Sequence, residues 1–377
     1  MRRRHLESRD ERLSSLLRLT VERKRHIRHG LLGVAFLDRG ENWLGAHGVL
    51  DPEGTPAEPG SRYPIASVTK LYTATITMRL VEDGRLRLED RMVDVLPEEV
   101  TRRLHVRKGV DRTDLITVEN LLSHTSGLAD YYAEAPKGSR SAEARLLAGE
   151  DVPVPFEEVV RLIREDLPPH FEPQPVGRPR RRARYADTNY QLLGTIVEEV
   201  TGKGIADLFD EVLFTPLGLD DTSSYPHVPR SGSSPEPDAR IWAGDVVLRP
   251  EGALRFQKAD GGIVSTLSDQ LRFITALVSD EIFVDPSTWA RMASGFNRVF
   301  FPVEYGLGVM RYAPPRWMSP GFRMPALLGH SGSTATWLFH CPELNVAVAG
   351  AFDVAQPALP YRFLPRVLRE VSLGGAG

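Results

Sequence analysis

Cysteine is almost absent from this sequence of 377 residues, in which Cys341 is the only one. One cysteine excludes a disulfide bond within the chain, and no spacing of cysteine and histidine resembles a zinc site. No apolar run approaches the roughly 20 residues of a membrane-spanning helix, and the charged N-terminus lacks the apolar stretch of a secretory signal. We therefore expect a cytoplasmic protein with no membrane partner, no metal and no other cofactor.

An excess of positive charge is also lacking, since 47 lysines and arginines stand against 50 aspartates and glutamates. A chain without a positive field is not expected to bind nucleic acid. Apolar residues make up 41% of the chain, which is enough to build a folded core. Only six of the basic residues are lysines, so a motif that contains lysine rarely arises by chance.

The hydrophobic pattern places strands near both ends of the chain and helices in its middle. Apolar runs at 31–37 and 43–50 predict an antiparallel hairpin, and further strand-like runs begin near residue 297. Helical periodicity dominates 85–225, and a last amphipathic helix covers about 361–371. We expect an α/β (α+β) fold, in which both termini form an antiparallel sheet flanked by helices around an inserted all-helical region. The predicted units are an N-terminal amphipathic helical extension (1–29), an α/β domain (30–84 and 226–377) and an inserted, mainly helical domain (85–225).

Ser67 and Lys70 lie at the start of a predicted helix that runs from Ser67 to Glu82. Residues three apart share one helix face, so the hydroxyl and the amine can meet. An amine can activate a serine as a nucleophile when burial and neighbouring charge lower its pKa. The helix N-terminus adds free N–H groups where the oxyanion of an acyl intermediate would form. The alternative is an N-cap serine followed by a solvated lysine.

Tyr185 and Asp187 lie on a loop that leads directly into a predicted helix at 188–200. Asp187 or Thr188 is expected to cap that helix. A tyrosine held at this corner can exchange protons with a nearby lysine, as a base toward the serine and as an acid toward the leaving group. The alternative is a capping motif with one packed aromatic side chain.

A third segment reads Gly-His-Ser-Gly-Ser at 329–333 and precedes an apolar, strand-like run. Small residues at an edge strand let a substrate backbone lie close, which makes Ser331 and Gly332 candidate binding residues. The Ser333 N–H is expected to point into the same space as the Ser67 N–H. The alternative is a serine and glycine turn that leads into a strand.

The order Ser-x-x-Lys, Tyr-x-Asp, His-Ser-Gly resembles that of the serine beta-lactamase and penicillin-binding-protein superfamily, in particular its class C beta-lactamase-related branch of esterases and peptidases. Segments 121–128, 260–266 and 305–308 are similar to further segments of that branch. The resemblance covers about residues 30 to 355. It implies an antiparallel sheet flanked by helices, an all-helical region and an active site between the two.

The resemblance also implies a role for each motif residue. Ser67 would be the acylated nucleophile, and Lys70 and Tyr185 would be the coupled proton-transfer pair. The N–H groups of Ser67 and Ser333 would form the oxyanion hole, and His330 would line the substrate channel. His124 and Ser126 are expected to shape a turn rather than react. Gly261 and Gly262 are expected to let a loop pass close to the site.

Two positions depart from the usual motifs of this superfamily. Asp187 stands where beta-lactamases usually carry asparagine, and a carboxylate accepts hydrogen bonds but does not donate them. It would also raise the pKa of Lys70 and shift the role of general base toward Tyr185. His330 stands where lactam-binding enzymes usually carry lysine, and a neutral imidazole would bind a substrate carboxylate weakly. Both departures disfavour a dedicated beta-lactamase.

The leading hypothesis is a serine hydrolase that cleaves a carboxylic ester or a small amide through a Ser67 acyl-enzyme. An acyltransferase or a peptide-cyclising thioesterase would use the same nucleophile, and a catalytically silent binding or structural homologue would keep only the scaffold. The expected partner is a small-molecule substrate. The basic run at 178–184 is by default a solvated loop, but at the mouth of a cleft it would favour an anionic acyl donor, such as one bound to a carrier.

Overall fold

The computed structural model describes residues 8–178, 180–248, 251–318 and 322–373. Its strands are β1 (His29–Phe36), β2 (Glu41–Gly48), β3 (Tyr63–Pro64), β4 (Val106–Arg107), β5 (Val110–Asp111), β6 (Ser223–Ser224), β7 (Ile241–Ala243), β8 (Val246–Leu248), β9 (Ile263–Ser265), β10 (Asn297–Phe300), β11 (Val303–Tyr305), β12 (Met310–Tyr312), β13 (Leu327–Ser331), β14 (Thr336–Cys341) and β15 (Val346–Phe352).

The α-helices in the same part of the chain are α1 (Arg9–Glu22), α2 (Thr69–Glu82), α3 (Met92–Val95), α4 (Glu98–Thr101), α5 (Val118–Leu122), α6 (Ala142–Leu147), α7 (Phe156–Arg161), α8 (Asp187–Thr201), α9 (Ile205–Phe209), α10 (Thr215–Leu217), α11 (Glu251–Phe256), α12 (Leu267–Val278), α13 (Ser287–Met292) and α14 (Leu359–Ser372). Short 3-10 turns cover Ala66–Val68, Thr113–Leu115 and Arg316–Met318, and π-helical turns cover Leu162–Asp166 and Asp210–Phe214. Within the described ranges, no helix is both long enough and apolar enough to cross a membrane.

One large antiparallel sheet is built from both ends of the chain. Its order is β10-β11-β12-β13-β14-β15-β1-β2. The first strand of the chain pairs with β15, so that Leu31 lies opposite Ala351. The predicted hairpin of β1 and β2 is confirmed, and so is the predicted fold class.

The central strands of this sheet are buried on both faces. Alternate side chains of a strand point to opposite faces, so β14 contributes to two separate cores. Leu338 packs in the core that contains α2 and α12, whereas Trp337 and Phe339 pack in the core that contains α1 and α14. Helices cover both faces of the sheet, which explains why β14 and β15 contain an unbroken apolar or buried run.

The chain between α2 and β6 is mainly helical, with the short hairpin of β4 and β5 as an exception. Helix α8 is buried along most of its length and packs against α2 and α5. This packing brings the first residues of α8 beside the first turn of α2. The division into units at 1–29, 30–84 with 226–377, and 85–225 stays a prediction.

Helix α1 packs closely against the sheet, where Leu13 and Leu17 are buried. A Cβ atom at Gly30 of β1 would lie 2.9 Å from Cδ1 of Leu17 and 2.9 Å from the ring of Phe352. The missing side chain at Gly30 therefore allows the helix to approach the strand.

We expect Leu17→Ala to lower the free energy of unfolding by about 2–5 kcal/mol, because it opens a cavity between α1 and the sheet. Ser14→Ala, on the exposed face of the same helix, is the control and should change it little. Urea unfolding measures both variants. Equal stability of the two would show that α1 does not contribute to the core.

Candidate active site

Ser67 lies in the 3-10 turn that leads directly into α2. Ala66 adopts the left-handed backbone conformation with a φ of 48°, which is strained for a residue with a Cβ atom and turns the chain just before Ser67. The predicted helix start at Ser67 is therefore early, since the α-helix begins at Thr69. Ser67 is partly exposed, whereas Lys70, one turn later, is fully buried.

The Lys70 ammonium group has an acceptor for each of its three N–H bonds. Its Nζ lies 3.0 Å from Oγ of Ser67 and 2.7 Å from the backbone oxygen of Asp260, and it forms an ion pair with the carboxylate of Asp187. Burial by itself would lower the pKa of Lys70, but the charge of Asp187, with further contributions from Tyr185 and Asp260, raises that pKa above its usual value. Lys70 is therefore a charged ammonium that donates to Ser67.

The Tyr185 hydroxyl is buried beside Ser67 and Lys70, and Nζ of Lys70 lies 5.2 Å from the centre of its ring. Among the described residues, this hydroxyl has no hydrogen-bond partner of good geometry. Burial raises the pKa of Tyr185; Lys70 opposes this shift and Asp187 adds to it. Tyr185 is thus a neutral phenol. An unpaired buried hydroxyl is costly, and this one is available to a substrate or its leaving group.

His124 holds the segment that carries Tyr185 and Asp187. Its backbone oxygen accepts a hydrogen bond from the N–H of Arg184 at 2.9 Å, and its Nδ1 accepts one from the N–H of Ala186 at 3.2 Å. Its ring centre lies 4.4 Å from that of Tyr185. Burial lowers the pKa of His124, which keeps the ring neutral and able to accept. This position agrees with the expectation that His124 shapes a turn.

The expected cap of α8 by Asp187 or Thr188 is wrong. The N-cap residue is Ala186, and no side chain caps the helix. The Asp187 carboxylate instead pairs with Lys70, because a fully buried ammonium needs a countercharge more than the first turn of a helix needs a side-chain cap. The Thr188 hydroxyl donates to the backbone oxygen of Ala129 at 2.7 Å.

Gly332 brings the end of β13 against the turn that carries Ser67. A Cβ atom at this position would lie 2.8 Å from Cβ of Ala66 and 2.2 Å from Oγ1 of Thr336, so only glycine permits this approach. In the described part of the chain, the N–H groups of Ser67 and Ser333 donate to no acceptor. Both residues line one cleft. Their role as an oxyanion hole stays a prediction that this geometry permits.

The cleft has a volume of about 610 Å³, which is within the usual range of about 300–1,000 Å³ for small-molecule sites. Tyr185, Asp187 and residues 331–334 line it together with Ser67. Ser331 is fixed by Tyr361 of α14, since the two hydroxyl oxygens are 2.6 Å apart. In the ranges described, no group of three or more His, Cys, Asp or Glu residues is placed to hold a metal ion.

Two further carboxyl groups, those of Asp130 and Asp260, are buried in the cleft wall near Asp187. Asp260 accepts a hydrogen bond from the Tyr131 hydroxyl at 3.1 Å. Burial raises the pKa of Asp130, and it raises the pKa of Asp260 to about 7; Asp187 adds to both shifts. No sequence motif indicated a role for Asp130, Asp260 or Tyr361. The one available signal was the position of Asp260 next to Gly261.

His330 is fully buried and is not among the residues that line the cleft. Its Nε2 lies 2.9 Å from the Tyr305 hydroxyl, and its Nδ1 lies 2.8 Å from the backbone oxygen of Ser331. Burial, with a contribution from Lys70, lowers the pKa of His330 to about 3, so the ring is neutral. Direct contact between His330 and a substrate stays a prediction.

The basic run at 178–184 holds its own loop in place. Arg181 is buried in an ion pair with Glu119, and Arg184 lies 3.2 Å from Glu134. Of the residues described in this run, none lines the cleft. The run therefore gives no support to an anionic, carrier-bound substrate.

Two features define the serine beta-lactamase and transpeptidase-like class of proteins. One is the sheet built from both termini, and the other is the Ser-x-x-Lys turn beside the buried hydroxyl of Tyr185. The chain belongs to the beta-lactamase family, whose model matches residues 17–372. The resemblance seen in the sequence motifs is confirmed. The serine hydrolase activity that the sequence predicts agrees with this family membership.

Individual relatives agree with this assignment. The chain is 31% identical to penicillin-binding protein 4 of Amycolatopsis lactamdurans over 253 residues, which are 64% of this chain and 57% of that protein. It is 30% identical to esterase EstB of Burkholderia gladioli over 271 residues, which are 66% of this chain and 65% of that protein. The chain thus spans less than two thirds of the length of either relative. The D-amino acid amidase of Ochrobactrum anthropi SV3, solved with D-phenylalanine, has the same fold, with a TM-score of 0.76 at 22% identity over 97% of this chain and 99% of that one.

We expect Lys70→Met to lower the free energy of unfolding by about 3–5 kcal/mol at pH 7, because it leaves Asp187 buried without a countercharge. The double variant Lys70→Met/Asp187→Asn should regain most of this loss, since it removes both charges. Lys203→Met, in an exposed pair with Glu211, is the matched control and should change stability little. Chemical unfolding of the four proteins tests the ion pair, and a double variant as unstable as the single one contradicts it.

Proposed function

We propose that this chain is a serine hydrolase that cleaves a carboxylic ester or a small amide through an acyl-enzyme at Ser67. The observation that carries the proposal is the distance of 3.0 Å between Nζ of Lys70 and Oγ of Ser67 at the wall of an open cleft. The Lys70 ammonium donates to this hydroxyl, fixes it at the cleft wall and places a positive charge beside it. The names of the relatives, an esterase and a D-amino acid amidase, agree with these two substrate classes.

Acylation begins with attack of Oγ of Ser67 on the carbonyl carbon of the substrate. A bond forms between Oγ and this carbon, and the carbonyl oxygen becomes an oxyanion between the N–H groups of Ser67 and Ser333. The bond to the leaving alcohol or amine then breaks. The leaving group takes a proton, and the acyl group stays on Ser67 as an ester.

The serine proton needs an acceptor, and Lys70 cannot accept it while all three of its N–H bonds are donated. Tyr185 is the group placed to act as the base after its phenol has lost its proton to solvent, because its oxygen is buried beside Ser67 and the Lys70 ammonium stabilises the resulting phenolate. The same phenol then returns the proton to the leaving group. Deacylation repeats the sequence with water as the nucleophile, which releases the acid and restores Ser67.

The surroundings of the nucleophile favour a substrate other than a beta-lactam. A lactam carboxylate would require a cation, but His330 is neutral and buried, and Asp187 adds negative charge to the same wall. We therefore propose a small-molecule ester or amide without a carboxylate close to the scissile bond. The cytoplasmic location remains part of the proposal, supported by the single cysteine.

We expect a fluorophosphonate probe to add its mass to Ser67, and Ser67→Ala to abolish both this labelling and the hydrolysis of p-nitrophenyl esters. Ser333→Ala is the matched control, because it removes a hydroxyl from the same cleft but keeps the N–H group. Intact-protein and peptide mass spectrometry measure the adduct. Absence of any adduct with acylating probes would favour a silent homologue, and product analysis with a thioester and an added amine separates hydrolysis from acyl transfer.

We expect Asp187→Asn to move the acid limb of the kcat/KM pH profile to lower pH by about one to three units. The charge of Asp187 raises the pKa of both Lys70 and Tyr185, so its removal lowers both and the base loses its proton at lower pH. Asp187→Glu keeps the charge and should keep the limb near its original position. An unshifted limb in Asp187→Asn would mean that the ion pair does not control the base.

A further inference from the structure

An unusual group of exposed apolar side chains lies at one end of the cleft. Phe300, Phe301, Trp317 and Met318 are 43%, 57%, 71% and 39% exposed. The first two lie where β10 turns into β11, and the other two lie in the 3-10 turn Arg316–Met318. We name these four residues the apolar ledge. Large apolar side chains exposed together, rather than singly, are characteristic of binding surfaces.

The apolar ledge is ordered by an aromatic stack. The rings of Phe301 and Trp317 are nearly parallel, with an angle of 10° between their planes and 6.1 Å between their centres. The stack fixes the ring of Phe301, which lines the cleft, while Trp317 supports it from outside the lining. A fixed aromatic ring in the wall presents an edge or a face to a flat apolar group.

The apolar ledge is continuous with the nucleophile. Val303 of β11 and Met310 and Tyr312 of β12 are buried in the same cleft wall, and Ser331 of β13 follows with its hydroxyl 3.6 Å from the sulfur of Met310. The strands lie in the order β10, β11, β12, β13. The hairpin of β10 and β11 is two strands from β13, and its Val303 is level with Leu327, four residues before Ser331. With strands about 4.8 Å apart and about 3.4 Å per residue along a strand, the hairpin is roughly 17 Å from the end of β13, where the substrate carbonyl would lie.

We propose that the apolar ledge binds an aromatic or similarly flat apolar group of the substrate, roughly 17 Å from its scissile carbonyl. This inference rests on the proposed function, because it places the reacting carbonyl at Ser67. It extends that function by naming a substrate class: esters or amides that carry a large, uncharged, ring-bearing chain. Phe300, Phe301 and Met318 contact this group, and Trp317 is a positioning residue that acts through Phe301.

The test compares two pairs of thioesters that differ only in the apolar chain. In the first pair the acyl group is phenyldecanoyl or acetyl, with the same small thiol; in the second the acyl group is acetyl, with a phenyldecyl or a methyl thiol. We expect Phe301→Ser to lower kcat/KM for the phenyl-bearing member of one pair by about tenfold while leaving its acetyl or methyl partner unchanged. Trp317→Ser should have a smaller effect with the same selectivity. Val284→Ser removes an apolar side chain that is 81% exposed outside the cleft lining, and it should alter neither value.

A second measurement separates failure of this inference from failure of the proposed function. Calorimetry with phenyldecanamide, which is uncharged, should detect binding to Ser67→Ala and about tenfold weaker binding to Ser67→Ala/Phe301→Ser. If Ser67 is labelled but Phe301→Ser changes kcat/KM for neither pair of thioesters, the proposed hydrolase activity stands and the ledge proposal is overturned. Equal binding by the two calorimetry variants would overturn it as well. Light scattering provides a third outcome. If the protein is a dimer that Phe301→Ser dissociates, and the kcat/KM ratios are unchanged, the ledge is an interface between copies of the chain and the proposal is overturned.

Discussion

The arrangement of the site depends on the complete burial of one ammonium group. A lysine without exposed surface needs an acceptor for each N–H bond and a nearby negative charge. Lys70 obtains these from Ser67 on the turn before α2, from Asp187 at the start of α8 and from the backbone of Asp260 before β9. Three distant segments of the chain therefore meet at a single nitrogen. Two sets of contacts bring these acceptors to Lys70: the close packing of α2 on α8, and the contacts of His124 with the segment before α8.

The same burial determines which protonation states the site can adopt. Asp130 and Asp260 lie near Asp187 in the wall, so negative charge exceeds positive charge around Lys70 if all three carboxyl groups are ionised. The raised pKa of Asp130 and of Asp260 shows that the cavity disfavours this state. Asp187 supplies the countercharge of Lys70, whereas burial disfavours the charged forms of Asp130 and Asp260. Tyr185, a neutral phenol whose hydroxyl is buried beside Ser67 and Lys70, is the group placed to release and regain a proton.

Sequence patterns predicted the parts of this site that depend on short spacing. Ser67 and Lys70 are one helical turn apart, and that interval by itself brings their polar atoms to 3.0 Å. The glycine at 332 was recognisable as a point of close approach, although its neighbour at Ala66 was not. The expected cap at Asp187 failed because local preference for a helix cap is weaker than the demand of a buried ammonium that lies far away in sequence. For the basic run at 178–184, the alternative of an anionic donor gains no support, since Arg181 forms an ion pair with Glu119.

The amino-acid sequence by itself determined the fold class, the order of the three motifs and the family, because each follows from periodicity or from residues close together in the chain. Only the tertiary structure decided that Asp187 pairs with Lys70 instead of capping α8, that His330 is fully buried, and that Tyr361 reaches Ser331 from α14. It also placed Phe301 in the wall that contains Ser67. These contacts join residues separated by tens to hundreds of positions, and they depend on how helices and strands pack, which no local pattern encodes.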